Sequence, residues 1–359
     1  MLSAEFNVDE FLSSVGTDVA VRELSPAEIA IRARELDTIQ EGRVDYRIRQ
    51  LSYSSLLLLH SCPRKFELYK SRTEKTNVRD EEAEITFAFG HVVGEAIQLV
   101  MDNRPKTEIV WRMFLGWHAD LMAENAKKSK SFWDAMIALE RFIAMRNSGF
   151  LEEYELVYYQ GKPAIELSFC INLPDGFRLR GYVDAVLRHK VTGEILVLEC
   201  KTTGTRFSPA QYKNSSQAIG YSVVLDVLFP ELSSYEVLYL IYQTTDQTYN
   251  PIPFAKSYSQ RAQWIKELLL DVEMIKMYAE QAHYPQHGES CFAFFKECDY
   301  INLCTLSNQH IIPEFNPDKH IDLEEYQINL SLLDLVEAQL KKTVTPMIEK
   351  DPEDMGEML

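Results

Sequence analysis

The chain has 359 residues, of which 46% are hydrophobic and 25% charged, a balance typical of globular proteins and unlike that of fibrous or low-complexity chains. Its formal net charge of −17 argues against a protein that coats nucleic acid through clustered Lys and Arg, although residues 307–359 alone carry twelve acids against four bases. No apolar run approaches the roughly 18 residues of a membrane span, and no basic, then apolar, leader pattern opens the chain. We therefore expect a cytoplasmic protein that does not enter a membrane.

The first part of the chain is predicted to be helical. The segment Ser25–Glu28 has the composition of a helix start, with a capping Ser, a Pro suited to the first turn and a Glu that can complete a capping box. This helix is expected to run to about Gln40. Apolar spacing predicts the following further helices: residues 51–66 with a break at Cys62-Pro63, Phe87–Met101, and two or three helices over residues 107–149.

Strands dominate the pattern after Leu151. The predicted strands are Glu155–Val157, Ala164–Leu173, Phe177–His189 and Glu194–Lys201, with turns at Pro174-Asp175-Gly176 and Thr192-Gly193. The remaining predicted elements are a helix over Gln211–Leu228, a strand over Tyr235–Gln243, a helix over Tyr258–Gln281, a cysteine-rich segment and a helix over Asp322–Lys342. This order predicts an α/β fold in which helices flank a mixed sheet.

Two acids and a lysine stand out on neighbouring predicted strands. A tight turn places Asp184 on one strand and Glu199 on the next, and alternation along the strand points Glu199 and Lys201 the same way. Two carboxylates and an amine on an apolar sheet are costly to bury unless they are paired or bound to a metal. Hard cations such as Mg²⁺ or Mn²⁺ suit such oxygens, and Lys201 would then assist an attacking water. The alternative is a buried ion pair that only holds the hairpin.

The same residues carry a resemblance to a known family. Gly181-x-x-Asp184, fourteen residues, and then Glu199-x-Lys201 resembles the core of the PD-(D/E)XK nuclease superfamily, with Val183 in the place of the Pro. The resemblance implies a restriction-endonuclease-like mixed sheet flanked by helices, with helical insertions. It also implies metal-dependent hydrolysis of DNA phosphodiesters, in which Asp184, Glu199 and the Cys200 carbonyl bind the metal and Lys201 assists catalysis.

Two further motifs resemble the RecB-like branch of that superfamily. Gln217 and Tyr221 match a Gln-x-x-x-Tyr helix that contacts the DNA strand, and four-residue spacing puts them on one helix face. Ser52-Tyr53-Ser54 running into Cys62-Pro63-Arg64-Lys65-Phe66 matches the N-terminal signature, so the resemblance covers roughly residues 51–305. Taken alone, the helix pattern favours a surface Gln and a packed Tyr, and its position directly after Glu199-x-Lys201 is what favours a role in the site.

One departure concerns the ligand from an early helix. RecB-like enzymes carry a His in a Gly-x-x-x-His pattern, and Gly94 stands at that place after Gly90. Either Glu95 or His91 would replace it, and we favour Glu95 because a hard cation prefers oxygen.

Basic residues close to the motifs are candidates for positioning a DNA strand through its phosphates. They are Arg64, Lys65, Arg206 and Lys213. The alternative for each of them is ordinary solvated surface charge.

Four of the six cysteines form a predicted metal site. Cys291, Cys298 and Cys304 are compactly spaced, which indicates a soft-metal site, and Cys62 is the candidate fourth ligand. The chain is similar here to CRISPR-associated and AddB-type RecB-like nucleases, which implies a [4Fe–4S] cluster that staples the two ends of the domain. A Cys₄ zinc site and unliganded buried thiols are the alternatives.

These observations give one overall prediction with two rivals. We predict an N-terminal helical arm (1–50), a nuclease domain (51–306) with a helical insertion at about 105–150 and a cluster segment (288–306), and an acidic helix and tail (307–359). The predicted activity is that of a Mg²⁺- or Mn²⁺-dependent deoxyribonuclease, an exonuclease acting on single strands or free ends in recombination, repair, or phage or CRISPR-type processing, with a helicase or recombination protein as partner. The rivals are a non-catalytic DNA-binding or scaffold subunit and a zinc-stapled structural module.

Overall fold

The computed structural model describes residues 46–71, 81–117, 130–230, 235–293, 296–304 and 326–344. The predicted helix over residues 25–40 and the C-terminal tail after residue 344 lie outside these ranges. The helices within them are α1 (Tyr46–Arg49), α2 (Tyr53–Ser61), α3 (Pro63–Lys70), α4 (Glu81–Met101), α5 (Lys106–Gly116), α6 (Phe132–Asn147), α7 (Ala210–Lys213), α8 (Ser216–Leu228), α9 (Tyr258–Glu280) and α10 (Leu332–Val344). None of them is both long and apolar enough to pass through a bilayer.

The described strands form one large sheet and two short hairpins. They are β1 (Gln50–Ser52), β2 (Tyr154–Leu156), β3 (Tyr158–Tyr159), β4 (Lys162–Pro163), β5 (Ile165–Asn172), β6 (Arg178–His189), β7 (Ile195–Thr203), β8 (Tyr235–Gln243), β9 (Thr248–Lys256), β10 (Phe292–Ala293), β11 (Lys296–Glu297) and β12 (Ile328–Ser331). The large sheet has the order β12-β5-β6-β7-β8-β9, and β1 and β2 also pair with β6.

The large sheet is mixed, as the sequence pattern predicts. The pairs β5–β6, β6–β7 and β8–β9 are antiparallel, whereas β7–β8, β5–β12 and β1–β6 are parallel. Parallel neighbours need a crossover connection, and α8 supplies it between β7 and β8. The predicted α/β architecture, a mixed sheet flanked by helices, is thereby confirmed.

Alternation along β7 divides the core between the two faces of the sheet. Ile195 and Val197 pack into a core that includes residues of α2, α8 and α9, while Leu196 and Leu198 pack into a second core with α4, α5 and α6. Side chains two residues apart on a strand point to the same face. Glu199 and Lys201 therefore continue the row that faces α8.

Among the strands that the sequence pattern missed, β9 and β12 are the two longest. β9 contains Pro251 and Pro253, and proline normally argues against a strand because it has no N–H for the ladder. Here β9 lies at the sheet edge, where proline is tolerated. The helix predicted over Asp322–Lys342 was wrong over Ile328–Ser331, where buried Ile328 and Leu330 alternate with less buried residues and pair with β5. Residues 322–325 lie outside the described ranges. The helix begins only at Leu332.

Candidate active site

The antiparallel pair β6–β7 brings the two predicted acids together. The ladder runs to the pair Ala185↔Leu198, so Asp184 and Glu199 are the next residues on the two strands. The Cys200 backbone N–H donates a hydrogen bond of 3.0 Å to Asp184 Oδ2. The Asp184 side chain therefore lies across the end of β7, beside Glu199.

Glu199 is buried, and its carboxylate oxygens have few partners. Only 1% of the residue is exposed, and both carboxylate oxygens lack a partner with hydrogen-bond geometry. The Lys201 ammonium nitrogen lies 2.6 Å from Glu199 Oε1 and forms an ion pair with it. One ammonium only partly compensates two neighbouring acids that are costly to bury, which favours a further cation at this place.

Burial and mutual repulsion raise the pKa of both acids. For Asp184 the largest cause is desolvation, followed by the charge of Glu199, and its pKa lies well above the ordinary value. Desolvation also raises the pKa of Glu199, against the opposing effect of Lys201. Burial by itself lowers the pKa of Lys201, but the charges of Glu199 and Asp184 outweigh it, so this pKa is raised. The site thus concentrates negative charge where a divalent cation would relieve it.

The donor set fits a hard cation. Carboxylate and carbonyl oxygens are the ligands that Mg²⁺ and Mn²⁺ take in proteins, and Asp184 and Glu199 supply the carboxylates. Within the described ranges, no three His, Cys, Asp or Glu side chains are close enough to hold an ion by themselves. Main-chain carbonyls and water, which Mg²⁺ commonly retains, would complete the shell.

The predicted Gln-x-x-x-Tyr helix lies beside these acids. Gln217 Nε2 donates a 2.6 Å hydrogen bond to the Tyr221 hydroxyl on α8. Burial first, and then the charges of Glu199 and Asp184, raise the pKa of Tyr221 well above its ordinary value. A Cβ on Gly220 would meet the Trp264 ring at 2.7 Å, so the glycine lets α9 pack closely and fixes α8 in place.

Glu95 and His91, the two candidate metal ligands on α4, have different surroundings. α4 crosses β7 on the face opposite to Glu199 and Lys201, where a Cβ on Gly90 would lie 3.3 Å from the Thr202 hydroxyl. Glu95 on this helix pairs with Arg112 of α5 at 3.6 Å, and its other oxygen adjoins Gly116. His91 is exposed. Glu95 thus lies on a helix of the opposite sheet face, with its carboxylate turned toward α5.

Two residues near the site were missed by the sequence pattern. Glu166 on β5 receives a 2.7 Å hydrogen bond from Gln98 Nε2, and the same amide donates at 3.2 Å to the Asp184 carbonyl. The charge of Glu166 also raises the pKa of Asp184 and Glu199. The available signal was the register across the Pro174–Gly176 turn, which sets Glu166 opposite Asp184.

The cysteine-rich segment folds against the break between α2 and α3. His287 Nδ1 and Ser290 Oγ both donate to the Ser61 carbonyl, at 2.9 and 2.7 Å, and the Arg64 N–H donates to the Pro285 carbonyl at 3.0 Å. These bonds place Cys62 next to the segment, although residue 61 and residue 287 are far apart in sequence.

The four predicted cluster thiols act on one another electrostatically. Burial raises the pKa of Cys304 to about 11, and the charges of Cys298, Cys62 and Cys291 add to this effect. Burial also raises the pKa of Cys291, with contributions from Cys298 and Cys62. The Cys298 N–H bonds to the Cys291 carbonyl at 2.8 Å. The four cysteines therefore lie within electrostatic range of one another, although no three of them are close enough to hold an ion among the described residues.

The four predicted phosphate-contacting bases fall in two places. Arg64 and Lys65 are half-buried on α3, and Arg64 forms an ion pair with Glu67. Arg206 and Lys213 are exposed on the segment that joins β7 to α8. This second pair borders the strand that carries Glu199 and the helix that carries Gln217.

Comparison with known proteins gives one family and a weak structural likeness. The profile of the PD-(D/E)XK nuclease superfamily matches residues 50–305. No curated protein sequence matches the chain. Among solved structures, one similar chain is described as "Crystal structure of SSO0001"; it is 10% identical, covers 77% of this chain and 97% of its own, and has a TM-score of 0.29. A likeness at that score carries no argument about the fold.

Proposed function

The chain belongs to the PD-(D/E)XK nuclease superfamily, and from that premise we propose that it is a Mg²⁺- or Mn²⁺-dependent deoxyribonuclease. The observation that carries the proposal is the convergence of Asp184, Glu199 and Lys201 at the end of one strand pair, with both Glu199 oxygens buried and lacking hydrogen bonds. An ion pair that served only to hold the hairpin would leave one acid without a cation. A nuclease metal site uses both acids.

Each site residue has a proposed role. Asp184, Glu199 and the Cys200 carbonyl hold the metal, and Glu95 is the proposed ligand from the early helix, with His91 as its alternative. When bound, the ion supplies Lewis-acid polarisation of the phosphate and a more acidic water. Lys201 orients the attacking water and offsets the negative charge that develops on the phosphoryl oxygens. Its ammonium group already lies 2.6 Å from Glu199.

DNA is proposed to approach along the α8 side of the site. Gln217 and Tyr221 would contact the strand, since α8 packs on the face toward which Glu199 points. Arg206 and Lys213 would bind phosphates beside them, and Arg64 and Lys65 would do so from α3. Phosphate contacts of this kind position a strand without selecting a base sequence.

We also propose a [4Fe–4S] cluster held by Cys62, Cys291, Cys298 and Cys304, with zinc as the alternative metal. The hydrogen bonds from His287 and Ser290 to Ser61 support this proposal, because they hold the segment against Cys62. The mutual electrostatic effect of the four thiols supports it as well. A cluster would tie residue 62 to residue 291 and so contribute to folding.

The finer proposal is a RecB-like exonuclease that acts on single strands or free ends. It rests on the motif resemblance of Ser52-Tyr53-Ser54, Cys62–Phe66 and Gln217-x-x-x-Tyr221. A cytoplasmic location and a helicase or recombination protein as partner belong to the same proposal. The non-catalytic alternative, a DNA-binding or scaffold subunit, would have no use for three converging polar side chains at a cost in burial.

Digestion of labelled DNA tests the activity. Wild type, Asp184→Ala, Lys201→Ala and a control, Glu155→Gln, are incubated with end-labelled linear and closed circular DNA in Mg²⁺ or Mn²⁺. We expect the wild type and the control, whose exposed side chain lies on β2, to digest linear DNA. Loss of general acid–base and electrostatic assistance should slow both site variants by about 10²- to 10⁴-fold.

Three outcomes would change the proposal. Equal digestion by all four proteins would refute the site. No digestion by any protein that still binds DNA would favour the scaffold alternative. Cutting of the circle would remove the exonuclease assignment and leave an endonuclease.

A further inference from the structure

We infer that Glu166 is a further metal-binding residue of this site, one that supplies a third carboxylate to the divalent cation, and that Gln98 is its positioning residue. The inference rests on the proposed function, whose metal site it extends. It adds an acid from the middle of the sheet to Asp184 and Glu199, apart from the ligand proposed on the early helix. Neither residue belongs to a motif that the sequence singled out.

The strand register sets Glu166 opposite Asp184. β5 and β6 pair through Ile165↔Ala185 on one side of this position and Leu167↔Val183 on the other. Residues directly opposite in an antiparallel pair have their Cβ atoms about 4.5–5.5 Å apart. The side chain of Glu166 thus begins beside that of Asp184, on the strand next to it.

The backbone of Glu166 is held in an unusual conformation. Its φ is +46°, inside a strand whose other residues are extended. Non-glycine residues seldom adopt a positive φ, and such residues cluster at functional sites because the surroundings must hold them there. The conformation redirects the Glu166 side chain within an otherwise regular sheet.

Gln98 holds this carboxylate in relation to Asp184. Only 4% of Gln98 is exposed, and its amide nitrogen donates both to Glu166 Oε1 at 2.7 Å and to the Asp184 carbonyl at 3.2 Å. One buried amide therefore bridges the two acidic residues. Gln98 follows Glu95 on α4 by three residues, so α4 contributes this amide from its own face of the sheet while Glu95 is paired with Arg112.

An independent feature at the same place indicates a cation. Both carboxylate oxygens of Glu199 are buried and without hydrogen bonds. Glu166 acts on Glu199 and Asp184 through its charge, which makes three acids against the one ammonium of Lys201. Oxygen-rich, negatively charged sites select hard divalent ions. Within the described residues the three acids are not close enough together to bind one ion directly. The exposed Glu166 side chain must therefore rotate toward the ion or bind it through a water.

Mn²⁺ binding without DNA gives a direct test. The free Mn²⁺ signal is followed by electron paramagnetic resonance as wild type, Glu166→Gln, Asp184→Ala and the control Glu155→Gln are titrated. Glu155 is likewise an exposed strand glutamate, paired with Arg188 at the far end of β6. We expect Glu166→Gln to raise the Mn²⁺ dissociation constant about 10-fold or more, Asp184→Ala to raise it further, and Glu155→Gln to leave it unchanged.

A second variant covers the case in which Glu166→Gln does not fold. Glu166→Gly removes the carboxylate while suiting a positive φ, and its circular dichroism melting curve shows whether the chain is folded. Wild-type Mn²⁺ affinity in a folded Glu166→Gln or Glu166→Gly protein would overturn the inference. This outcome is separate from failure of the proposed function, in which the wild type binds Mn²⁺ but cuts no DNA.

The positioning role of Gln98 has its own readout. Gln98→Met keeps the side chain's length but removes the amide, and it should weaken Mn²⁺ binding in the wild-type background and not in Glu166→Gln. Such non-additivity is the signature of two residues acting together. Equal losses in both backgrounds would show that Gln98 acts on the site without Glu166, and would overturn its assigned role.

Discussion

The acidic site and the cysteine region are both predicted to bind metals, yet the chain builds them in opposite ways. Asp184, Glu199 and Glu166 stand on three adjacent strands of one sheet, so the ladder β5–β6–β7 sets their spacing. The cysteines stand on short turns around the two-stranded pair β10–β11, held to α2 by a few hydrogen bonds.

The difference concerns what each metal would do for the fold. Neighbouring strands remain paired whether or not an ion is bound, so the acidic site is built before its metal arrives. The segment around Cys291, Cys298 and Cys304 has a small apolar cluster of its own, in which Leu68, Tyr300 and Cys304 are the buried members. A metal there would supply much of the order that the sheet supplies elsewhere.

The largest expected difference between the two regions is the effect of removing their metals on the stability of the chain. We expect Cys298→Ser to lose cluster colour and to lower the free energy of unfolding by several kcal/mol, because metal binding of this kind is folding energy. Chelation of Mg²⁺ or Mn²⁺ from the wild type should lower the unfolding free energy much less, by about 1 kcal/mol, because only the compensation of the acids is lost. Metal analysis, visible absorbance and calorimetry measure these effects, and a colourless wild type that contains zinc would favour the Cys₄ zinc site.

The next largest loss of stability is expected from a substitution in α8, the helix beside the acidic site. In Gly220→Ala the new methyl group would meet the Trp264 ring at 2.7 Å, a distance that forces α8 and α9 apart. We expect a loss of about 1–3 kcal/mol in unfolding free energy, as for other overpacked cores, together with weaker DNA binding through Gln217 and Tyr221. Ala218→Ser, on the same helix, is a size-matched comparison; equal stability of Gly220→Ala and wild type would contradict the close packing.

Neutralising the half-buried Asp184 should stabilise the metal-free chain. The pKa of Asp184 is raised in the folded state, chiefly by burial, so its contribution to stability is full below its unfolded pKa and is lost as pH rises through the folded value. Asp184→Asn stays neutral, and in EDTA at pH 7 it should gain about 1 kcal/mol while losing activity. A melting temperature below that of the wild type would show that the charge is already compensated.

A smaller, pH-dependent effect is expected between α2 and α9. His60 Nε2 lies 2.8 Å from Asp271 Oδ1, and this hydrogen bond is the main cause of the raised pKa of His60. Its stabilisation is complete below the ordinary pKa of 6.5 and is lost as pH rises through the folded value. Because His60 is half exposed, the effect should be at most about 1 kcal/mol. Asp271→Asn should flatten the change of the unfolding free energy between pH 5 and pH 8 by at most about 1 kcal/mol, as measured by chemical denaturation at each pH.

Much of the acidic site was predictable because its positions follow from short stretches of sequence. The apolar run Ile195–Leu198 followed by Glu-x-Lys identifies a buried strand that ends in charge, and a tight turn after β6 sets the partner strand. The pairing of Glu95 with Arg112 was not predictable, because it depends on how α5 packs against α4. Glu166 was missed for a similar reason, since its position follows from the β5–β6 register and from Gln98 on a distant helix.

The missed strands show a different limit. In β9, Pro251 and Pro253 suppress the strand signal, and only the place of β9 at the sheet edge makes them harmless. In β12, four residues are too few for an alternating pattern to outweigh the helical pattern that follows. The domain boundaries proposed from the sequence, including the helical insertion at 105–150, stay predictions.

The parallel pairing of β12 with β5 has a practical consequence for anyone who shortens this chain. A fragment that ended at residue 305, where the family match stops, would lose the strand that covers β5 and the helix whose Gln339 donates to the buried Asp226. An uncovered edge strand invites intermolecular association. Expression designs should therefore keep residues 326–344, and solubility trials of the two lengths would show how much protection this short segment provides.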